Sequence, residues 1–382
     1  MKSLPYVAIH EVTAKSILRR QKKIESWFLS GYGMNLYRGC AHNCVYCDGR
    51  SEKYQVDGEF GCDVTVKINA VDVLRRELER IQKRSPQPSG YIMVGGGVGD
   101  SYQPVEQTYQ LTRKTLNLLL TYGFPIHILT KSILVQRDID LITTINEKRK
   151  ALVSFSFSTV DDSISERFEP GVPTPSKRLE TIATLTDAGI PCGMFLLPVI
   201  PFISDSPQKI EESIQQAKQH GVEFIVFGGM TLKEGKQKES FYDLLKRYYP
   251  ELLTEYAIIY RGDTWGNATK DYYDSIQRTF DLLRRKYHMP CRIPPHLYND
   301  LLTETDRVIV ILEHIDYLLK LQGRKSPYGY AAYSISRLSK PLSTMIDDLQ
   351  QIKGVGSVTE RLIREILTTG RCSYYETLLF GR

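Results

Sequence analysis

Short apolar runs alternate with amphipathic stretches through roughly residues 30 to 230 of this chain. Six apolar runs have the length of buried strands: Met34–Arg38, Tyr91–Val94, Ile126–Thr130, Leu152–Phe157, Gly193–Leu197 and Phe224–Phe227. Five stretches between them repeat apolar residues at helical spacing: Val71–Arg84, Val105–Leu120, Val135–Glu147, Ser176–Ala188 and Pro207–His220. Because strands that alternate with helices form βαβ units, this pattern predicts a parallel sheet.

The number of these units indicates a barrel that is not complete. About six units in roughly 200 residues are too few for an eight-fold barrel, which needs about 250 residues. We therefore expect an α/β fold with a partial (β/α)6 TIM-like barrel, and a doubly wound sheet is the structural alternative. The sequences YGFP (122–125) and AGIP (188–191) mark two helix ends, since glycine caps a helix and proline prevents its continuation.

Beyond about residue 235 the strand pattern gives way to helical periodicity. The helical stretches are Phe241–Thr254, Lys270–Tyr287, Leu297–Gln322 and Leu342–Leu367. The sequence RKSPYGYAAYS (324–334) predicts a surface linker. We expect four units, with an all-helical extension after the barrel: an N-terminal extension (1–30), the partial barrel (31–235), a helical extension with its linker (236–340) and a tail (341–382).

Composition and charge restrict the cellular setting of the protein. The 382 residues carry a net charge of +6, which permits nucleic-acid binding without requiring it. The sequence has no apolar run long enough to span a bilayer and no secretory signal, so we expect a cytoplasmic protein without a membrane partner. Seven cysteines, four of them isolated, argue against a disulfide framework.

Three cysteines are crowded into RGCAHNCVYCD (38–48): Cys40, Cys44 and Cys47. A structural zinc ion takes four ligands, usually as two pairs, but the chain has no distal CxxC pair and His42 lies inside the same loop. A [4Fe–4S] cluster normally takes four cysteines, so three leave one iron open to a substrate or cofactor. The cluster is the leading interpretation, and zinc or three unbound thiols are the alternatives.

The CxxxCxxC spacing, with the aromatic Tyr46 before the last cysteine, resembles the signature of the radical S-adenosylmethionine (radical SAM) superfamily. The wider sequence GMNLYRGCAHNCVYCDGR (33–50) is similar to the spore photoproduct lyase-like branch of that superfamily. The stretches Gly99–Ser132 and Val153–Ile182 resemble the same branch. The resemblance covers residues 35–228, which is most of the predicted barrel.

The resemblance implies that Cys40, Cys44 and Cys47 bind three irons of a [4Fe–4S] cluster. The amino and carboxylate groups of S-adenosylmethionine (SAM) would chelate the fourth iron. One electron from the reduced cluster would then cleave a C–S bond of SAM, giving methionine and a 5′-deoxyadenosyl radical that abstracts a hydrogen from the substrate. An electron donor such as flavodoxin or ferredoxin is the partner that this chemistry implies.

The resemblance also carries over a set of cofactor-binding positions, which are Tyr46, Gly95, Gly96, Gly97, Lys131 and Ser156. The glycines of VGGG (94–97) would let the backbone approach the methionyl amine of SAM. Lys131 matches a lysine near the methionine carboxylate, and Ser156 matches a polar cofactor contact. A plain strand-to-helix turn, a solvated lysine and an inward-facing serine are the alternatives for these positions.

Two positions depart from spore photoproduct lyase itself. That enzyme relies on a hydrogen-donating cysteine just after the second strand, where this chain has GGGVGDSY (95–102), and we place Gly97 at the equivalent position. It also has a tyrosine directly after the last cluster cysteine, where this chain has Asp48. Both departures remove parts of the radical-quenching path, so neither the reaction nor the catalytic residues of this chain follow from the resemblance.

The C-terminal sequence LQQIKGVGSVTERLIREIL (349–367) resembles a helix-hairpin-helix motif. A GxG turn that opens a helix exposes backbone N–H groups next to a positive helix end, which suits a backbone phosphate. The expected contact residues are Lys353, Gly354, Gly356, Ser357 and Thr359, and protein packing is the alternative use of such a hairpin. Residues 284–340 carry ten basic against five acidic side chains, so we expect a positive groove between the barrel and the tail.

These features together predict a radical SAM enzyme that repairs or modifies nucleic acid, with DNA favoured over RNA. One alternative is a radical SAM enzyme that acts on a peptide or small molecule and uses the hairpin to dock a protein. A second alternative is a nucleic-acid-binding protein whose iron–sulfur cluster has no catalytic function.

Overall fold

The computed structural model describes residues 7–54, 58–84, 89–95 and 98–381. In these residues the strands are β1 (Ala8–Val12), β2 (Leu18–Glu25), β3 (Ser30–Met34), β4 (Tyr37–Arg38), β5 (Asp63–Lys67), β6 (Tyr91–Val94), β7 (Ile126–Thr130), β8 (Ala151–Phe157), β9 (Cys192–Val199) and β10 (Phe224–Gly229). The α-helices are α1 (Ala70–Arg84), α2 (Glu106–Tyr109), α3 (Leu111–Tyr122), α4 (Ile139–Lys148), α5 (Asp162–Phe168), α6 (Pro175–Asp187), α7 (Pro207–Gln219), α8 (Lys236–Tyr248), α9 (Leu253–Ile259), α10 (Lys270–Lys286), α11 (Glu304–Leu321), α12 (Tyr328–Ile335), α13 (Ser357–Thr369) and α14 (Ser373–Phe380).

A seven-stranded sheet forms the centre of the molecule, in the order β10-β9-β8-β7-β6-β3-β2. Strands β3 and β6 to β10 run parallel, and β2 pairs antiparallel to β3 at one edge. Most residues of β6 to β10 are buried, as expected for a parallel sheet that is covered on both faces. Six parallel strands that alternate with helices confirm the α/β fold and the expected partial (β/α)6 barrel.

The first predicted strand, Met34–Arg38, is wrong in its bounds. The barrel strand is β3, and the chain then leaves the main sheet to pair as β4 with β5. β3 is rich in glycine rather than in apolar residues, and Gly31 is needed there because a Cβ atom would lie 2.4 Å from the Ser89 carbonyl oxygen. A second, three-stranded sheet of β1, β5 and β4 flanks the cysteine loop in sequence.

The predicted helix Val105–Leu120 is interrupted in the structure. It consists of α2 and α3, separated by Gln110 in a left-handed conformation (φ 53°). Glu106 stabilises the break, because its buried carboxylate accepts the N–H groups of Thr112 (2.9 Å) and Arg113 (3.3 Å) at the start of α3. The position of α3 therefore depends on a buried acid that the apolar pattern does not reveal.

The two predicted glycine–proline helix ends are confirmed. Helix α3 ends at Gly123 (φ 70°), and the N–H of Phe124 donates to the carbonyl of Leu119 at 2.9 Å. Helix α6 is followed by Gly189, which also has a left-handed conformation (φ 76°). Glycine adopts this conformation without a steric penalty, so both helices stop where the sequence indicates.

Three predictions in the C-terminal part need correction. The helix expected at Phe241–Thr254 is divided at Pro250 into α8 and α9. The helix expected at Leu342–Leu367 is a 3₁₀ segment, Leu342–Gln351, followed by α13. The stretch 324–334, expected as a surface linker, instead contains most of α12, which buries one face through Tyr328, Ala331, Ala332 and Ile335. Tertiary packing therefore produces a helix where turn-forming residues favoured a loop.

Helix α11 is the central element of the C-terminal part. It begins at Glu304, later than predicted, because the hydroxyl of Thr303 caps it by accepting the N–H of Asp306 (3.2 Å). It packs against α10, α12, α13 and α14. The described residues after Gly229 contain helices and turns but no strand, which confirms the all-helical extension. The unit boundaries at residues 30, 235 and 340 stay a prediction.

No helix in the described ranges combines the length and the apolar character that crossing a membrane requires.

Candidate functional site

The candidate site lies where the parallel strands end. The cysteine loop follows β4, Gly95 follows β6, Lys131 follows β7, and Ser156 is the penultimate residue of β8. Carboxyl ends of parallel strands meet at one edge of a sheet, which is where such folds place their ligand sites. The topology therefore brings the predicted cofactor-binding positions to the same edge.

The cysteine loop is buried and tied to its surroundings by backbone hydrogen bonds. Cys40 and Cys44 are 7% and 5% exposed, and Cys47 is half-buried. The Gln103 side chain accepts the N–H of Ala41 (2.9 Å) and donates to the carbonyl of Gly39 (3.1 Å). These bonds hold the loop in a set conformation before any ligand binds.

The segment after α5 closes over the same loop. The N–H of Val45 donates to the carbonyl of Phe168 (2.8 Å), and the N–H of Gly171 donates to the carbonyl of His42 (3.1 Å). This segment belongs to the proline-rich stretch that joins β8 to α6. It therefore covers the cysteine loop as well as connecting the strand to the helix.

The cysteine loop fits an iron–sulfur cluster better than a single metal ion. A structural zinc ion takes four ligands, but both ring nitrogens of His42 in this loop already lie within hydrogen-bond distance of Asp100 and of the Gly171 carbonyl. A [4Fe–4S] cluster does not need His42, because each thiolate binds its own iron. Burial and the neighbouring Asp100 carboxylate raise the pKa of Cys40, so a thiolate there needs a positively charged partner such as iron.

Asp100 and His42 form a buried pair beside the cysteines. The ring nitrogens of His42 lie 3.1 Å from the Asp100 carboxylate and 3.0 Å from the carbonyl of Gly171. Both partners are acceptors, so the ring satisfies both when it carries two N–H groups. The Asp100 carboxylate also accepts the Thr130 hydroxyl (2.8 Å) and the Lys131 N–H (2.7 Å). Burial acts to raise the pKa of Asp100, but these hydrogen bonds outweigh it and lower that pKa.

Glu169 brings three of the predicted cofactor-binding residues together. Its carboxylate accepts the Tyr46 hydroxyl and the Lys131 ammonium (3.1 Å), and the same ammonium donates to the Ser156 hydroxyl oxygen (2.9 Å). The Arg178 guanidinium donates to the other Glu169 oxygen at 2.6 Å. The Lys131 nitrogen also lies 5.6 Å from the centre of the Tyr46 ring. Tyr46, Lys131 and Ser156 therefore form one connected cluster.

This cluster is charged although it is buried. Glu169 is 1% exposed and Arg178 is fully buried. Burial acts to raise the pKa of the Glu169 carboxyl, but Arg178 and Lys131 outweigh it and hold that pKa well below its usual range. The sequence analysis did not identify Glu169, Arg178, Asp100 or His42 as site residues. The sequence contains one indication of Glu169, because this residue lies in the proline- and glycine-rich stretch that shapes the loop between β8 and α6.

The predicted glycine segment is described only at its first residue. Gly95 has a left-handed conformation (φ 88°) and lies against the carbonyl oxygen of Leu129, at the end of β7. Gly96 and Gly97 lie outside the described residues, so their predicted contact with a methionyl amine stays a prediction.

Asp48, directly after the last cysteine, is paired with residues that follow β10. Its carboxylate accepts the Lys233 ammonium (2.8 Å), the Thr231 hydroxyl (2.7 Å) and the Gln237 amide (3.0 Å). Lys233 is 7% exposed, although lysine is rarely buried. A polar, charged pair therefore occupies the position where spore photoproduct lyase has a tyrosine.

The predicted nucleic-acid residues lie around the turn before α13. Lys353, Gly354, Gly356 and Ser357 are exposed, but Thr359 is 3% exposed, so the structure does not bring its hydroxyl to this surface. Gly356 is the N-cap residue of α13, and no side chain caps the helix there. The first N–H groups of α13 therefore face solvent, as a phosphate-binding turn requires.

Two family models match the chain. The model described as the radical SAM superfamily matches residues 34–207. The model described as a helix-hairpin-helix domain matches residues 304–372, which extends from α11 to the end of α13. The second match covers α11 and α12 as well as the predicted hairpin.

Curated relatives cover most of the chain. An uncharacterised protein of Mycobacterium tuberculosis is 32% identical over 287 residues, which is 74% of this chain and 82% of the relative. An uncharacterised protein of Methanocaldococcus jannaschii is 30% identical over 249 residues, which is 65% of this chain and 85% of the relative.

Solved structures share the fold. Spore photoproduct lyase complexed with dinucleoside spore photoproduct has a TM-score of 0.55 at 15% identity, over 73% of this chain and 79% of the other. A double mutant of that enzyme with bound AdoMet and the same dinucleoside has a TM-score of 0.53 at 16% identity, with the same coverage. The fold likeness agrees with the branch that the sequence resembles.

Proposed function

We propose that this chain, which belongs to the radical SAM superfamily, is a radical SAM enzyme that acts on nucleic acid. One observation carries the enzyme part of this proposal: three cysteines, two of them buried, lie on one loop at the carboxyl edge of six parallel strands, and this loop contains no fourth cysteine. An incomplete ligand set of this kind leaves one iron open for a cofactor.

Cys40, Cys44 and Cys47 would hold the cluster. When bound, the [4Fe–4S] cluster and SAM supply a one-electron cleavage that generates a 5′-deoxyadenosyl radical. Lys131 offers its ammonium group at the strand ends, which suits a carboxylate such as that of methionine. Ser156 and the Tyr46 ring hold that ammonium in place.

Glu169 and Arg178 would act through Lys131 rather than on a cofactor. Arg178 binds one carboxylate oxygen of Glu169 and Lys131 binds the other, so the two cations hold the carboxylate in place and the carboxylate holds the Lys131 ammonium at the strand ends. Both side chains are buried, which excludes water from beneath the site. They are positioning residues in this proposal.

Nucleic acid is the proposed substrate class. The helix-hairpin-helix match covers residues 304–372, and the GxG turn before α13 presents unpaired backbone N–H groups to solvent. Spore photoproduct lyase, which has a similar fold, is complexed with a dinucleoside spore photoproduct in one structure, and this supports a nucleic acid as the substrate class, for which we propose DNA. We also propose a cytoplasmic setting, where an exposed iron and free thiols remain reduced.

The proposed reaction differs from that of spore photoproduct lyase. Residues 91–110 contain no cysteine to donate a hydrogen atom, and Asp48 is engaged with Lys233 where that enzyme has a tyrosine. We therefore propose hydrogen abstraction from a base or a sugar without that quenching path. The electron would come from a one-electron donor protein of the flavodoxin or ferredoxin type.

The experiment is SAM cleavage by anaerobically reconstituted protein with dithionite, measured as 5′-deoxyadenosine. Wild type should form it, and Cys44→Ala should lose the cluster iron and the activity together. The matched control is Cys192→Ala, a buried thiol at the start of β9 that should retain both. Wild-type protein that binds iron but cleaves no SAM under reduction would refute the enzyme proposal.

Substrate class is tested by adding oligonucleotides to the same reaction and measuring their masses. A mass change in DNA supports the proposal. Cleavage of SAM with unchanged nucleic acids, but with a modified peptide or small molecule, would move the function to the alternative substrate class.

A further inference from the structure

A large cavity lies outside the cofactor site, along α10. It has a volume of about 830 Å³ and is lined by α10, by the end of α11 and by the turn at residues 322–325. We call it the α10 groove. Nothing in the proposed chemistry uses it, yet it follows α10 from Lys270 to Arg285.

The charge of the α10 groove is strongly positive. Its lining carries six cationic side chains, which are Lys270, Arg278, Arg285, Lys320, Arg324 and Lys325. It carries two carboxylates, Asp274 and Asp281, and both are already paired with cations. In the part of the chain that the structure describes, Arg278, Arg324 and Lys325 form no ion pair. The groove therefore has cationic groups available for an anionic ligand.

One end of the α10 groove adjoins a segment that is hydrogen-bonded to the residues after β10. A second cavity of about 460 Å³ shares Lys270 with it and is lined by Arg261 and Trp265. Gly266 of this segment accepts the N–H of Leu232 (2.7 Å), directly before Lys233. Lys233 in turn pairs with Asp48, which directly follows Cys47 in the cysteine loop.

The other end of the α10 groove reaches the hairpin. Arg324 and Lys325 stand just before α12, and α12 carries Tyr330 and Tyr333, which are 56% and 58% exposed. A Cβ atom on Gly354 would lie 2.6 Å from the Tyr330 ring, so α12 is packed directly against the GxG turn. The groove therefore lies between the two sites that the proposed function needs.

We propose that the α10 groove binds the sugar–phosphate backbone of the nucleic acid between the hairpin and the strand-end site. The inference rests on the proposed nucleic-acid substrate. Sixteen helical residues from Lys270 to Arg285 span about 24 Å, which corresponds to about seven base pairs at 3.4 Å each. Cationic side chains that contact phosphates and not base edges bind a nucleic acid regardless of its base sequence.

The test compares Arg278→Glu/Lys325→Glu with Arg80→Glu/Lys83→Glu, which places the same charge change on the exposed side of α1. Binding of labelled single-stranded and duplex DNA and RNA is measured by fluorescence anisotropy at several salt concentrations. The groove variant should bind at least about tenfold more weakly, and its salt slope should fall by about two, because two phosphate contacts are lost. The α1 variant should bind almost as wild type does.

Two further readouts separate the possible results. Affinity for duplex DNA should rise with length until about seven base pairs fill the groove and then level off. Trp265 is 64% exposed, so its fluorescence should change on binding in wild type and not in the groove variant. Formation of 5′-deoxyadenosine without DNA should be equal in all three proteins.

Several outcomes would overturn the inference. Equal affinity and salt slope in the groove and α1 variants would do so, and so would a lack of binding by wild-type protein. If the groove variant binds DNA normally but is no longer reduced by a flavodoxin-type protein, the groove serves an acidic redox partner instead. Groove-dependent DNA binding by a protein that cleaves no SAM would leave this inference standing while the enzyme proposal fails.

Discussion

Glu169 shows how much of the candidate site depends on one residue. It joins Tyr46, Lys131 and Ser156, which are separated by up to 110 positions in the chain. It also joins Arg178, so two cations and one carboxylate share a region from which water is excluded. Such a group is stable only while its charges compensate one another, because an unpaired buried charge is costly.

Glu169→Gln should therefore destabilise the fold. The amide removes the negative charge and leaves the buried Arg178 guanidinium without a counter-charge, at a cost of about 3 kcal/mol. The measurement is urea unfolding followed by circular dichroism. Glu180→Gln, on the exposed side of α6, is the control and should change stability by less than about 0.5 kcal/mol. Equal unfolding midpoints for the two variants would contradict this account.

The sequence predicts a residue of the site only where it lies close in sequence to other site residues or matches a known motif. The three cysteines lie within eight positions, so their spacing is visible in the sequence. The Asp100–His42 pair joins positions 58 apart, and the Glu169–Lys131 pair joins positions 38 apart. Hydrophobic periodicity shows which face of a helix or strand is buried, but it does not show which side chain from a distant part of the chain contacts that face.

At the scale of elements, the best predictions are those in which burial leaves a clear pattern. β6 and β7 have the predicted bounds, because strands covered on both faces are continuously apolar. β3 was misplaced because it is rich in glycine, and Gly31 allows close backbone packing where an apolar side chain would mark a strand. The break at Gln110 depends on Glu106, a single buried carboxylate, and α12 depends on packing against α11.

Substitutions at the start of α13 allow an effect on the stability of the fold to be separated from an effect on DNA binding. A Cβ atom on Gly356 would meet nothing within 4 Å, and its φ of −96° is open to any residue. Asp is a preferred N-cap, so Gly356→Asp should raise stability by about a few tenths of a kcal/mol. The same carboxylate repels phosphate, so DNA binding should weaken several-fold.

The matched control for this element is Gly356→Ser, which also caps α13 but adds no charge. It should keep DNA binding close to that of wild type, measured by the same anisotropy assay. Equal DNA affinity of the Asp and Ser variants would mean that the hairpin serves protein packing rather than phosphate binding.

At the scale of the whole molecule, the C-terminal helices are attached to the start of the barrel. His314 in α11 lies 2.9 Å from the carbonyl of Ser26, in the turn between β2 and β3, and 2.8 Å from the Tyr375 hydroxyl in α14. The Lys23 ammonium in β2 also pairs with Glu313. The hairpin unit therefore has a defined position relative to the barrel, which a nucleic acid reaching both sites requires.

His314 makes this attachment sensitive to pH. Burial, with a contribution from Arg292, lowers the pKa of His314 from 6.5 to about 3. The unfolded chain binds a proton below about pH 6.5 that the folded chain does not, so stability present above that pH is lost as the pH falls towards 3. Between pH 7 and pH 5 this amounts to about 2 kcal/mol.

The prediction is tested by urea unfolding at pH 7, 6 and 5. His314→Gln should be less stable than wild type at pH 7, because it disturbs the contacts to Ser26 and Tyr375, but it should lose less stability between pH 7 and pH 5. His288→Asn, at an exposed position where asparagine also tolerates the left-handed backbone (φ 50°), is the control and should lose as much stability between pH 7 and pH 5 as wild type does. A wild-type loss that persists in full in His314→Gln would show that other groups control the attachment. A smaller loss would show that one buried, neutral histidine holds the C-terminal helical unit against the barrel.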